Sequence, residues 1–448
     1  MRTVRVLLAV TAVGACALAG LPASAAPVTK PAAAPARSAV AADTVVGTYY
    51  PLAPERLMDT RSGLGGRTGP LGARTTVELA VAGSGGVPAS GAGSVVLNVT
   101  VTGPTASSYL TLYPAGQTRP TASSVNFGAG WLGSNNVTVK LAPNGRVAIY
   151  QHAGSAHVVV DVVGFYASSD TVRGSHGRGG QYQRVTPTRL VDTRRERGPI
   201  EGNTRINRWV DFGPVSPHVT ALVLNITAVR PQRSGFLSAW AGDGPVPTSS
   251  TVNYGAGTVV PNLAYVRTAI CHDCGPWYGV PIFAVHSLRT TDIVVDLVGV
   301  IDDGSLPGGL RFTPLAPTRI VDSRIDVGTS GALGANATRR ITAPATVATG
   351  ATHVLATNVT AVAPTADTVV TVWPADAGVA RPTASNLNPA AGQTVSNAVL
   401  AGIGPTDAFA AHNLAGSTHL VTDVVGTFHL PSGAAPADPL RVLATGGY

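Results

Sequence analysis

The chain has 448 residues, enough for two to four domains, and its 52 glycines and 34 prolines favour many short strands joined by turns. Charged residues make up 12% and hydrophobic residues 44%, which excludes a disordered chain. The formal charge of +8 comes from scattered arginines, with Lys30 and Lys140 the two lysines; no basic stripe interleaves with aromatics, so no nucleic-acid partner is expected.

Arg2 and Arg5, the apolar run Val6 to Val13 and the small residues Ala23-Ser24-Ala25 read as an export signal over residues 1–25. Val13-Gly14-Ala15-Cys16 supports an alternative lipoprotein reading with Cys16 lipidated. Both readings make the protein secreted, either released or held at the cell surface. No later apolar run is long enough to span a membrane. Residues 26–46 are Ala/Pro-rich, as expected of a flexible segment.

The rest of the chain repeats itself. Leu57-Met58-Asp59-Thr60-Arg61 returns as Leu190-Val191-Asp192-Thr193-Arg194 and as Ile320-Val321-Asp322-Ser323-Arg324. Each copy ends on an apolar run holding one acid, Asp161, Asp296 or Asp423. Between them recur Asn98-Val99-Thr100, Asn225-Ile226-Thr227 and Asn358-Val359-Thr360, and a further asparagine at 135, 262 and 397. The apolar segments are short, alternating or continuous, and punctuated by Gly, Pro and Asn; Asn144-Gly145 is a hairpin turn signal. This predicts an all-β protein of three tandem β-sandwich (jelly-roll-like) modules of about 120 residues each. The modules span residues 47–168, 183–303 and 312–431, with linkers at 169–182 and 304–311 and a tail at 432–448.

The D-T-R opening, N-V-T strand and V-V-D-V-V-G-F-Y ending resemble a module repeated in many secreted actinobacterial proteins, alone or beside hydrolase domains. The resemblance covers residues 47–430. It implies export and an extracellular role, with carbohydrate or wall binding a common expectation, and it transfers no catalytic residue. Copy two departs most, through an insertion at Cys271 to Pro281.

An acid within a doubly buried strand needs a cation or several hydrogen-bond donors. The opening strand supplies an arginine in each copy, so the expected structural pairs are Arg61 with Asp161, Arg194 with Asp296, and Arg324 with Asp423. The Asn-x-Thr asparagines are formally glycosylation sequons, but internal hydrogen bonding is the expectation. Tyr113, Trp240 and Trp373 share one place in the repeat, two residues beyond Thr111, Ser238 and Thr371 on the same strand face. A flat ring beside a hydroxyl suits a sugar; the same ring also suits a sandwich core. Cys271 and Cys274, in an oxidising exterior, are expected to form a disulfide; zinc is the lesser alternative and would need further ligands, with His272 and His286 nearby in sequence.

No metalloprotease helix, nucleophile elbow, phosphate loop or dinucleotide fingerprint occurs. The expected function is therefore a non-catalytic, cofactor-free, multivalent binding protein. Its partner would be an extracellular polysaccharide or cell-wall polymer. The alternative is a structural surface protein that contacts other surface proteins.

Overall fold

The structure, a computed structural model, describes residues 44–447 other than 197, 273 and 274. The export signal, Cys16 and the flexible segment up to residue 43 therefore lie outside the described residues.

Alternation builds the first module. Along Ala92–Thr102, Val95, Leu97, Val99 and Val101 are buried in the module's own core, and Asn98 and Thr100 point to the opposite face. Along His157–Ala167, Val158, Val160 and Val162 enter the same core and Asp161 faces away. Eight strands result: β1 (Tyr49–Asp59), β2 (Thr75–Ala80), β3 (Ala92–Thr102), β4 (Ser108–Pro114), β5 (Val125–Phe127), β6 (Gly133–Lys140), β7 (Arg146–Gln151) and β8 (His157–Ala167). They form two antiparallel sheets ordered β1-β8-β3-β6 and β2-β7-β4-β5. First pairs with eighth, second with seventh, third with sixth and fourth with fifth, the pattern of a long hairpin rolled into a jelly roll.

The second module repeats the inner sheet with Thr188–Asp192, Asp292–Ile301, Ala221–Val229 and Val259–Arg267. The third does so with Arg311–Asp322, His419–His429, Thr352–Val362 and Val395–Gly402. Each module has its own core. A further apolar cluster lies between modules and draws two aromatics from each: Tyr49 and Tyr166, Tyr182 and Tyr265, Phe312 and Phe428. Tyr166 and Phe312 approach to 4.2 Å between ring centroids, and Tyr182 and Phe428 to 4.9 Å. The inner sheets thus face a common axis and the outer sheets face solvent.

This axis accounts for the glycine in the closing motif. A Cβ at Gly164 would lie 2.0 Å from the Tyr49 hydroxyl oxygen; at Gly299 it would meet the Tyr182 ring at 2.2 Å, and at Gly426 the Phe312 ring at 2.3 Å. Each opening aromatic lies across the closing strand, and the Tyr49 and Tyr182 hydroxyls donate to the carbonyls of Val163 and Val298.

The stretches read as linkers also belong to the axis. Tyr49 and Gly180 exchange backbone hydrogen bonds, as do Tyr182 and Leu310, while the Phe312 N–H donates to the Gly47 carbonyl. The C-terminal tail is likewise structured. Ala444–Gly447 adds a strand to the outer sheet of the second module, beside Thr204–Asp211. Trp209 covers Gly446, where a Cβ would lie 2.0 Å from the ring, and stacks on Trp277 of the inserted loop at 3.7 Å. The insertion and the tail thus form one clasp between the end of module three and module two.

Substituting Gly164 by alanine should destabilise the protein by about 1–3 kcal/mol, because the opening ring must leave its seat. Gly174→Ala, with open space around the new methyl, should stay within about 0.5 kcal/mol of wild type. Thermal or urea melts of the two variants make the comparison.

Candidate functional site

The polar faces of the three inner sheets meet one another, and six asparagines close the junctions. Asn98 Nδ2 donates to the Ser250 carbonyl of the next module at 2.6 Å, Asn225 to Ser385 at 2.6 Å, and Asn358 back to Ser123 of the first module at 2.7 Å. The second asparagine set answers: Asn262 Nδ2 donates to Asn98 Oδ1 at 2.8 Å, Asn397 to Asn225 at 3.0 Å, and Asn135 to Asn358 at 2.9 Å. Their own Oδ1 atoms accept backbone N–H groups across the same seams, from Asn136, Leu263 and Ala398. The pattern runs from module one to two to three and returns to one, which makes a closed ring with pseudo-threefold order. All six asparagines are buried, so the sequons at 98, 225 and 358 are engaged internally.

The accepting carbonyls belong to an arm that follows the strand bearing Tyr113, Trp240 or Trp373. Thr111 Oγ1 donates to the Ala122 carbonyl at 3.0 Å, Ser238 Oγ to Ser249 at 2.6 Å, and Thr371 Oγ1 to Ala384 at 3.4 Å. The hydroxyls picked out as sugar contacts are therefore buried and hold the arm that grips the neighbouring module. The rings do not form exposed platforms either: Tyr113 and Trp240 are 7% and 4% exposed, and Trp373 is half-buried against Ala375, Ala408 and Ala410. Both residue types stand where strand alternation puts them, on the outer face of the outer sheet, but the returning arm covers that face.

The buried acids do find cations, though not the expected ones. Asp161 is paired with Arg56 at 2.8 Å, Asp296 with Arg189 at 2.8 Å, and Asp423 with Arg319 at 2.9 Å. Arg61, Arg194 and Arg324 instead bind Asp59, Asp192 and Asp322, two residues earlier, each at 2.7 Å. The reason is local. The opening Asp lies at the strand end, where the chain turns and brings the following arginine back over it. The arginine three residues earlier sits directly opposite the closing acid in the strand ladder. Its recurrence at 56, 189 and 319 was the available sequence signal. Arg56 and Arg319 also donate to the Thr248 and Thr121 carbonyls of neighbouring arms, so the ion pairs border the seams.

Burial pushes the carboxyls of Asp161, Asp296 and Asp423 up, against the pull of their arginines. Hydrogen bonds from Arg61, Arg194 and Arg324 hold Asp59, Asp192 and Asp322 below the ordinary carboxylate range. Cys271 is buried against Trp209 and Val280, while Cys274 lies outside the described residues. Among the described residues no group of three or more His, Cys, Asp and Glu side chains could hold a metal. No helix there is long and apolar enough to cross a membrane.

No family model matches the chain, and no curated protein matches it. Among solved structures it is similar to a chain described under the triple jelly-roll fold and turret assembly of an archaeal virus. That match has 10% identity and a TM-score of 0.16, over 88% of this chain and 92% of that one. A chain of Sulfolobus Turreted Icosahedral Virus matches at 9% identity and a TM-score of 0.15, over 85% and 90%. At TM-scores this low, neither neighbour bears on what this chain does.

Arg56→Ala strands a fully buried carboxylate and should cost about 3 kcal/mol. Arg61→Ala loses a half-exposed partner and should cost under about 1 kcal/mol. Urea denaturation of both variants tests the assignment, and the reverse order of costs would restore the pairing expected from the sequence.

The two sets of acids respond to pH with opposite sign. A depressed carboxyl contributes stability that is present above its unfolded pKa and is lost as pH falls through the folded one. A raised carboxyl makes stability fall as pH rises through its window. Asp59→Asn removes one contribution of the first kind, so stability should decline less steeply than in wild type as pH drops below about 4. Urea midpoints measured along a pH series give the slopes, and equal slopes would remove the role assigned to Arg61.

Proposed function

We propose that the chain is a non-catalytic extracellular scaffold, a single rigid three-module block. The observation that carries this reading is the closed asparagine ring. Three independent binding units on a string would each fold alone and present a separate site. Here each module completes its polar inner face with groups from the next, and the hydroxyls beside the recurring aromatics are occupied by the arm that does so. Such a body keeps fixed spacing and orientation between its outer faces, which a surface or assembly protein requires. The export signal read at residues 1–25 supports a position outside the cell.

Two measurements test the proposal. Scanning calorimetry of the exported chain should give one cooperative transition, while a fragment ending near residue 168 should expose its axial tyrosines and aggregate. Immunogold labelling of intact producing cells should place the protein on the outside. Three separable transitions, a cytoplasmic location, or turnover of wall polymer by the purified chain would each overturn the reading.

A further inference from the structure

One difference between the three outer faces, at the arm residue, accompanies a cleft in module two. Tyr150, His286 and His412 occupy equivalent places, opposite Thr111, Ser238 and Thr371. In module one the arm residue Arg119 lies over the Tyr150 ring, 3.7 Å from its centroid. In module three Arg381 Nη1 lies 2.5 Å from His412 Nε2. The matching arm residue in module two, before the shared Pro-Thr, is Val246. With a short apolar side chain there, His286 lines a cleft of about 620 Å³ walled by Phe236, Pro245, Pro247 and Leu288.

Several polar groups of that face lack partners. His286 is 8% exposed, and its Nδ1 has no hydrogen-bond partner; Trp240 Nε1 and Asn207 Oδ1, on the same sheet face, are also buried without one. Arg205 stands across from His286 in the strand ladder and lines the cleft. It has no acidic partner among the described residues, and the cleft lining contains no carboxylate. Burial holds the His286 imidazole toward its neutral form, so the local charge is a single guanidinium. A second cleft of about 330 Å³ shares Phe236, Thr248 and Leu288 with the first and continues to Thr100 and Thr102 of module one. There the arginines, Arg56 and Arg61, are already matched by Asp161 and Asp59.

We propose that this groove binds an acidic oligosaccharide, with a uronate carboxylate on Arg205 and the apolar sugar face on Phe236 and the prolines. Further along, the partly exposed Thr102 hydroxyl meets sugar hydroxyls rather than charge. Arg205, whose guanidinium lies over the Trp240 ring at 5.8 Å, gains an anionic partner from a carboxylate in a cleft that offers no competing acid. The hydroxyl-lined continuation across the module seam favours a saccharide over a peptide terminus. The site goes beyond the scaffold reading, which stands or falls on other measurements.

Titration calorimetry of the full exported chain with a panel of tetragalacturonate, oligoglucuronate and alginate oligomers tests it. Binding to at least one is expected, weakened at least about tenfold by methyl esterification of the carboxylates, by Arg205→Ala, and by Val246→Arg, which installs the cover seen in the other modules. Val246 is partly exposed, so Val246→Arg should melt as wild type does; Arg205→Ala, on an exposed side chain, provides the second check. Absence of binding across the panel would overturn the proposal. So would binding indifferent to both substitutions, or preference for a peptide bearing a free C-terminal carboxylate.

Discussion

Every seam in this molecule rests on carboxamides removed from water. A buried amide without partners costs on the order of 1–3 kcal/mol per orphaned group, whereas a paired one gains far less than that. Asn262 shows how this asymmetry acts: its nitrogen serves Asn98 Oδ1 and the Thr251 carbonyl, and its oxygen accepts the Asn136 N–H. Separating modules one and two would orphan groups on both sides. The ring therefore behaves less like adhesive than like a condition of fit, since any other relative placement of the modules leaves several amides unpaired. Apolar burial along the axis supplies attraction, and the amides determine which arrangement receives it.

The threefold order is imperfect in an informative way. Ser134 and Ser396 accept the N–H of Asn253 and Asn126, whose side chains also reach Thr100 and Thr360. At the third seam the matching residue is Pro261, and Thr227 Oγ1 is buried with no partner. The seam between modules two and three thus lacks the serine contact that the other two make. The same two modules are joined a second time, on the outside, where the C-terminal strand lies beneath Trp209. The clasp falls at the seam where proline replaces the serine.

Much of this was legible in the residues. The repeat, the strand alternation that separates Leu97 from Asn98, and the need of Asp161 for an arginine all follow from local pattern and solvation. What escaped depends on contacts between copies. Asn98 and Asn262 recur visibly, but nothing within one module says that each completes another. Thr111 beside Tyr113 has the look of a sugar site because the arm that occupies the hydroxyl returns from eleven residues away. The choice of Arg61 over Arg56 erred because proximity to the opening Asp was read as strand geometry, when the chain turns at that Asp. Gly164 could be read as a strand breaker but not as a seat for Tyr49, since the ring reaches it only through sheet register.

Because the ring is closed within a single polypeptide, it is indifferent to dilution. A trimer of separate chains released into the surroundings would dissociate as its concentration fell, its stability being tied to protomer concentration. Here the partners are covalently joined at a fixed, high effective concentration. The tether also frees the copies from identity: a homotrimer would carry an arginine or a valine at the arm position in every subunit, whereas this chain holds Arg119, Val246 and Arg381 side by side. Tandem duplication has given a symmetric body the means to carry an asymmetric surface.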